Sequence, residues 1–355
     1  MPPPPIKLPV SDDAEELAQR REGMSKLNQA GLNVLGPCPP HLAETTIEIP
    51  LPDGTTSRTI ITRPAGPAPG GKGFPLIVLL YGGGWCGGEP EMMITPARGF
   101  AALLGAVVAC PTYKVAPEDP FPAPMHSAWE AVSWLSHADN LNDGVLSKDN
   151  GVSVDPGLGF VIGGASAGAN IAAVIAGISA AAAADRDSEL VHGLSPLARP
   201  LTGVFASVPA LVAEAMPLPA EYAPLWTSRV DNVDGFMATE QMRECERRLA
   251  PDFQSPWFSP LNLDLGSIKG HHAPRVYAQA GELDCLRDDA VVYDKMLSDK
   301  GVAETRIDVI KDVGHVGWVT FPMPDAHTDS IKTIWLDGMA WLLGKDWDKS
   351  QKLPY

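Results

Sequence analysis

Ser166 lies in G-A-S-A-G, residues 164–168, between the apolar run FVIGG and an Ala-rich stretch that ends at Ala184. Small residues two before and two after a serine let a strand and a helix approach closely, while the turn between them holds the hydroxyl out. A helix starting behind the serine brings free backbone N–H groups and the positive end of its dipole to the same turn. A serine hydroxyl alone is a poor nucleophile. It needs a histidine as base, and the histidine needs an acid that fixes its tautomer. Of the eight histidines, His315 in IKDVGHVGW follows a strand-like run and precedes a helical stretch. His271 and His272 precede a strand and so sit at the wrong edge, and His41, His126, His137, His192 and His327 lack a strand-to-loop setting. Asp284 in AQAGELDCLRDDA lies just past another strand and fits the acid, with Glu282 as its rival. Asp288 and Asp289 are expected on the following helix, facing solvent. The order serine, acid, histidine is the one used by enzymes that hold a serine on a strand-to-helix elbow.

Acyl transfer also needs donors for the oxyanion of its transition state. LLYGGGWCGG, residues 79–88, offers consecutive glycines straight after a buried strand. Their N–H groups are not covered by side chains, so Gly83 and Gly84, with the N–H of Ala167, are the expected oxyanion hole. Trp85 and Trp318 adjoin these loops, and Trp226 and Trp257 lie in a segment of irregular pattern. All four are expected to wall an apolar substrate pocket. Cys86 and Cys285 flank the glycine loop and the acid and are expected to be buried.

These loops need a sheet to carry them. FPLIVLLYGGGW, GAVVACPTY, GFVIGG, TGVFASVP and PRVYAQAGELD are near-continuous apolar runs, the pattern of strands buried on both faces. ETRIDVIKDVGH follows more weakly, and TTIEIP and SRTIITRP read as a hairpin around LPDGTT. Helical stretches over residues 122–138, 167–184, 287–300 and 327–344 alternate with the strands. The fold class is α/β, with a mostly parallel sheet of about eight strands covered by helices. Residues 1–10 are Pro-rich, and residues 11–31 read as a helix capped by Ser11 or Asp12 and stopped at Gly31. Residues 211–258 break the alternation and hold about two amphipathic helical pieces. The expected organisation is an N-terminal cap segment over 1–45, core over 46–210, a cap insertion over 211–258 and core over 259–355.

The chain has 355 residues, with 27 basic against 43 acidic side chains and a net charge of −16. That balance disfavours nucleic acid and anionic membranes as partners. The start, MPPPPIKLPV, has no basic region leading into an apolar one, so no secretory signal is read. No uninterrupted apolar run reaches the length of a membrane span. Five scattered cysteines show no metal-ligand spacing and no disulfide framework. The expectation is a soluble cytoplasmic protein with a small-molecule ester as partner and no metal or organic cofactor.

Together, YGGGW, YKVAPEDPFPAPMHSAWEAVSWL, GGASAGANIA, and GELDCLRDDA with GHVGW resemble the hormone-sensitive-lipase-like branch of the α/β-hydrolases, a family of carboxylesterases and lipases. The resemblance spans about residues 75–345. It implies an α/β-hydrolase fold with a helical cap, Ser166 as nucleophile, Asp284 as orienting acid, His315 as base and no cofactor. Members often pair through a sheet edge or terminal helix, so a homodimer is an expectation of the same kind. Two residues depart from the family pattern. Tyr81 replaces the histidine that usually precedes the three glycines, and Ala165 replaces the Asp or Thr often found before the nucleophile. The reading is a serine ester hydrolase for small to medium apolar esters. The alternatives are a dedicated acyltransferase, lactonase or cyclase of specialised metabolism, or a non-catalytic ligand-binding protein, against which His315 argues.

Overall fold

A computed structural model of the chain describes residues 14–148, 151–185, 187–233, 237–321 and 325–353, with residues 325–327 described by backbone alone. The Pro-rich start and the Ser11 or Asp12 cap lie outside these residues. Eight strands form one sheet: β1 (Leu42–Pro50), β2 (Thr56–Pro64), β3 (Leu76–Leu80), β4 (Val107–Pro111), β5 (Phe160–Ala165), β6 (Gly203–Ser207), β7 (Arg275–Gly281) and β8 (Glu304–Ile310). Their order is β1-β2-β4-β3-β5-β6-β7-β8. The β1–β2 hairpin and the β2–β4 pair are antiparallel, and the other pairs are parallel. β3, β4, β5 and β6 are buried at every residue, which is why they read as unbroken apolar runs. The edge strands β1 and β8 are partly exposed and carry more polar residues.

The helices are α1 (Ala14–Leu35), α2 (Ile94–Leu104), α3 (Ala123–Ser136), α4 (Ala138–Asn142), α5 (Ala167–Ala184), α6 (Ser228–Asp231), α7 (Thr239–Leu249), α8 (Arg287–Asp299) and α9 (Asp325–Leu343). α1 does not stop at Gly31 but runs on to Leu35. Gly31 is there for contact: a Cβ on it would stand 1.6 Å from the carbonyl oxygen of Thr320. It therefore lets α1 lie against the loop that follows His315. α2 is absent from the sequence reading, because Pro96 and Gly99 interrupt its pattern. Pro96 falls in the first turn, where its missing N–H costs no bond, and Gly99 makes room for the Trp318 ring.

α5 is long and apolar enough to cross a membrane. Here it is the central core helix, packed on β3, β5 and β6 and buried over most of its length. A helix apolar on all sides is what such a position requires. Residues 211–258 follow β6 and contain α6 and α7.

The register sets the site. Leu80 pairs with Gly164 across β3 and β5, and Ser207 pairs with Ala165 and with Gln279. The chain segments after β3, β5 and β7 therefore leave the sheet side by side at one edge, the edge at which ligands bind in parallel α/β sheets.

Candidate active site

Ser166 follows β5 directly and is the residue before α5. Its backbone is at φ 56°, ψ −121°, a region that costs a non-glycine residue roughly 1–3 kcal/mol. Two bonds hold it there: its N–H donates to Ser207 O at 2.9 Å, and Asn170 N–H donates to its carbonyl at 3.0 Å. The flanking glycines permit the turn. A Cβ on Gly164 would stand 2.4 Å from Leu80 O, and one on Gly168 would stand 2.2 Å from Leu80 O and 2.4 Å from Tyr81 O. Any larger residue would push strand and helix apart.

The three residues that the sequence singled out are brought together. His315 Nε2 is 3.0 Å from Ser166 Oγ, and His315 Nδ1 is 2.9 Å from Asp284 Oδ2. All three are buried, with exposures of 7% for Ser166, 8% for His315 and 1% for Asp284. The other carboxylate oxygen of Asp284 accepts from Leu286 N–H at 2.9 Å. Gly281 is required where the β7 and β8 loops cross, since a Cβ there would stand 2.1 Å from Gly314 O. The rival acid, Glu282, is directed elsewhere. Its Oε2 accepts from Asp312 N–H at 3.0 Å, which braces the turn leading to His315.

The glycine loop lies alongside. A Cβ on Gly82 would stand 3.2 Å from Ser166 Cβ. Gly83 and Gly84 have φ of 138° and 62°, open to glycine and strained for other residues. Among the described residues, no backbone carbonyl accepts from the N–H groups of Gly83, Gly84 or Ala167. Tyr81, at the position of the family histidine, is tied in by a reciprocal pair. Tyr113 N–H donates to Tyr81 Oη at 3.3 Å, and Tyr113 Oη donates to Tyr81 O at 2.8 Å. The two rings stack at 4.4 Å. Burial raises both phenols above their usual pKa, so both stay protonated.

A family model described as the alpha/beta hydrolase fold matches residues 77–319. The chain belongs to the α/β-hydrolase family. An AB hydrolase superfamily protein of Schizosaccharomyces pombe is 28% identical over 309 residues, covering 86% of this chain and 82% of its own length. The carboxylesterase NlhH of Mycobacterium tuberculosis is 28% identical over 235 residues, 65% of this chain and 62% of its own. Among solved structures, vibralactone cyclase superposes with a TM-score of 0.71 at 23% identity, covering 95% of this chain and 92% of that one. The family match and these relatives place this hydrolase in the carboxylesterase-type, hormone-sensitive-lipase-like branch.

The hydrolase uses its tryptophans differently from the expected pocket wall. Trp85 is fully buried and donates from Nε1 to Asn170 Oδ1 at 3.1 Å. Trp257 packs edge-on against His126 and Trp129 and donates to Leu190 O, beyond the far end of α5. Trp318 is fully buried against Phe100 and Trp335. Trp226 alone of the four stays partly exposed, and its Nε1 donates to Asp289 Oδ1 at 2.7 Å. Packing claims Trp85, Trp257 and Trp318, since an aromatic ring fills a core as readily as it walls a pocket.

Asp288 and Asp289 do not face solvent; both are buried. Asp289 Oδ2 accepts from Leu211 N–H at 2.8 Å and Val212 N–H at 2.9 Å. Asp288 Oδ2 accepts from Thr227 N–H at 2.8 Å and Ser228 N–H at 2.7 Å, and Arg287 pairs with Asp288 at 2.7 Å. The pair thus holds the insertion, five residues or fewer after Asp284. Burial pushes the Asp289 carboxyl up to about 7, against the pull of Arg229.

Asn170, also passed over in the sequence, is fully buried. Its Nδ2 donates to Ala210 O and to Phe258 O, each at 2.8 Å, at the two ends of the insertion. The signal was present: an amide inside an otherwise apolar helix must have partners. Two cavities, of about 300 and 460 Å³, border α1, the glycine loop and α7, and neither is lined by Ser166, Asp284 or His315.

Proposed function

We propose that this hydrolase cleaves carboxylic esters through an acyl-enzyme on Ser166. The observation that carries the reading is the continuous chain of contacts from Ser166 Oγ to His315 Nε2 and from His315 Nδ1 to Asp284 Oδ2, at 3.0 and 2.9 Å. Ser166 Oγ attacks the ester carbonyl while His315 Nε2 takes its proton, and Asp284 holds the imidazole with its Nδ1 proton inward. The N–H groups of Gly83, Gly84 and Ala167 receive the oxyanion. The alcohol leaves with the proton from His315, and a water activated by the same nitrogen then frees the acid. Tyr81 keeps the glycine loop in place through Tyr113. Residues 211–258 with α1 act as the cap.

The substrates are small to medium, apolar esters. The buried position of all three triad side chains supports a compact acyl site. The acyltransferase, lactonase or cyclase alternative drew on an unexplained Tyr81 and an aromatic cap. The contacts between Tyr81 and Tyr113 account for the tyrosine as a brace within an esterase, and of the two cap tryptophans Trp257 is buried in packing. The five free cysteines accord with a reducing, cytoplasmic setting.

The test is hydrolysis of p-nitrophenyl esters from acetate to decanoate, wild type beside Ser166→Ala. Turnover by wild type that peaks among the shorter chains and vanishes in the variant is expected. Equal activity in both proteins, or none by wild type across the series, would overturn the reading.

A further inference from the structure

Cys245 of α7 sits directly on the glycine loop: a Cβ placed on Gly84 would stand 2.4 Å from its Sγ and 3.1 Å from its Cβ. Two residues further along that loop is Cys86, and the two thiols interact side chain to side chain. Both are reduced and buried, at 2% and 0% exposure. Arg20 of α1 lies beside Cys245. It is only 8% exposed, and its Nη1 has no hydrogen-bond partner among the described residues. A buried guanidinium with an open donor next to a thiol favours a thiolate there. The hydrogen bond from Cys86 holds the Cys245 thiol below its usual pKa, with the charge of Arg20 adding to it against burial. The same hydrogen bond, with burial, pushes Cys86 up. Arg20 adjoins Cys245, which marks Cys245 as the attacking thiol and leaves Cys86 to resolve. The cleft of about 460 Å³ between α1 and α7 is walled in part by Arg247 and Arg248, on the same helix as Cys245.

We propose that Cys86 and Cys245 form a peroxide-sensitive dithiol whose oxidation bonds insertion helix α7 to the glycine loop and switches the enzyme off. The Cys245 thiolate attacks hydrogen peroxide, forming an S–O bond as the O–O bond breaks, and the departing hydroxide is protonated to water. Cys86 sulfur then attacks the sulfenic sulfur of Cys245. The S–S bond forms, the S–O bond breaks, and the hydroxide leaves as water with the Cys86 proton. Two thiols and one peroxide give one disulfide and two waters, the two electrons passing to the peroxide. The bond draws Cys86 toward α7 and displaces the adjacent Gly83 and Gly84 N–H groups. Losing such donors costs roughly 10²–10³-fold in kcat.

The cross-link itself does not rest on the proposed esterase reading; only the activity readout does. The full-length enzyme is treated with hydrogen peroxide, mapped by peptide mass spectrometry without reduction, and assayed before and after dithiothreitol. Wild type, Cys86→Ser and Cys245→Ser are run together. The expected result is a peptide joining residues 86 and 245, absent from both variants, with an activity loss of about tenfold or more in wild type that dithiothreitol reverses. Oxidation confined to the more exposed Cys38, with Cys86 and Cys245 still reduced, would overturn the proposal. So would a Cys86–Cys245 cross-link that leaves hydrolysis unchanged. If wild type hydrolyses no ester, the esterase reading has failed and the mass map alone decides this one.

Discussion

The edge of the sheet and the segment over residues 211–258 are built by different means. At the edge, backbone meets backbone. Gly164, Gly168 and Gly281 each bring a Cα within van der Waals contact of a neighbouring carbonyl, and no side chain is interposed. The insertion is held by charge and by side-chain hydrogen bonds. Asp288 and Asp289, both buried, capture its N–H groups; Arg229 pairs with Glu246 at 3.0 Å, both buried, and Arg248 pairs with the buried Glu244. Close backbone packing fixes distances to tenths of an ångström and does not titrate. Buried charged contacts are strong only while their ionisation and geometry persist. The glycine contacts that shape the elbow therefore do not titrate, while residues 211–258 are attached in part by groups whose ionisation pH can change.

The comparison can be broken most severely at Ser166, the proposed nucleophile. Ser166→Ala should lower kcat for ester hydrolysis by about 10⁴-fold or more while leaving the melting temperature nearly unchanged, as steady-state kinetics and a thermal scan on one preparation would show. A fall of less than about tenfold would remove the triad from the chemistry.

Two glycine substitutions sharpen the contrast in stability. In Gly168→Ala the new methyl meets the Leu80 and Tyr81 carbonyls, which cannot move without the sheet, so a loss of about 3 kcal/mol or more is expected. In Gly84→Ala the nearest atom is the Cys245 thiol, a side chain that can yield, and the φ of 62° adds strain of about 1 kcal/mol. Urea unfolding of both variants checks this; equal losses would erase the distinction between the regions.

The insertion's dependence on ionisation is read at Asp289. Its carboxyl is raised from 3.8 to about 7 in the folded protein by burial, so folding favours the protonated form. The stability this group contributes is complete below about pH 4 and is lost as pH rises toward 7. Asp289→Asn, which carries no charge at any pH, should flatten the melting temperature over that interval relative to wild type. Parallel profiles would show that the carboxyl does not titrate there.

The smallest effect is expected at Tyr81→Phe. The ring stack with Tyr113 remains, but Tyr113 N–H loses its acceptor, at a cost of roughly 0.5–1 kcal/mol by denaturant unfolding.

Much of this was legible in the chain. The buried strands are legible as continuous apolar runs, and chain order with a preceding strand picks out the serine, aspartate and histidine whose side chains the fold brings within hydrogen-bond distance. What escaped notice was non-local. Asp288 and Asp289 look like surface acids at the start of a helix in an acidic protein. Their partners at Leu211, Val212, Thr227 and Ser228 lie about sixty to eighty residues earlier. Trp257 and Trp318 were misplaced because an aromatic residue fits a pocket wall and a core equally well, and sequence does not say which face it turns. α2 was hidden by a proline and a glycine that its surroundings accommodate. Tyr81 was an open question in the sequence because its brace comes from the segment after β4.

One amide, that of Asn170, receives the chain where the insertion leaves the core and where it returns. A segment whose two ends are fastened at a single point can change in length or content with little added closure cost. Evolution or an engineer could therefore exchange residues 211–258 as a cartridge, keeping Ala210 and Phe258 as the fittings. Because the same side chain also receives Trp85, each new cartridge would be seated in register with the glycine loop.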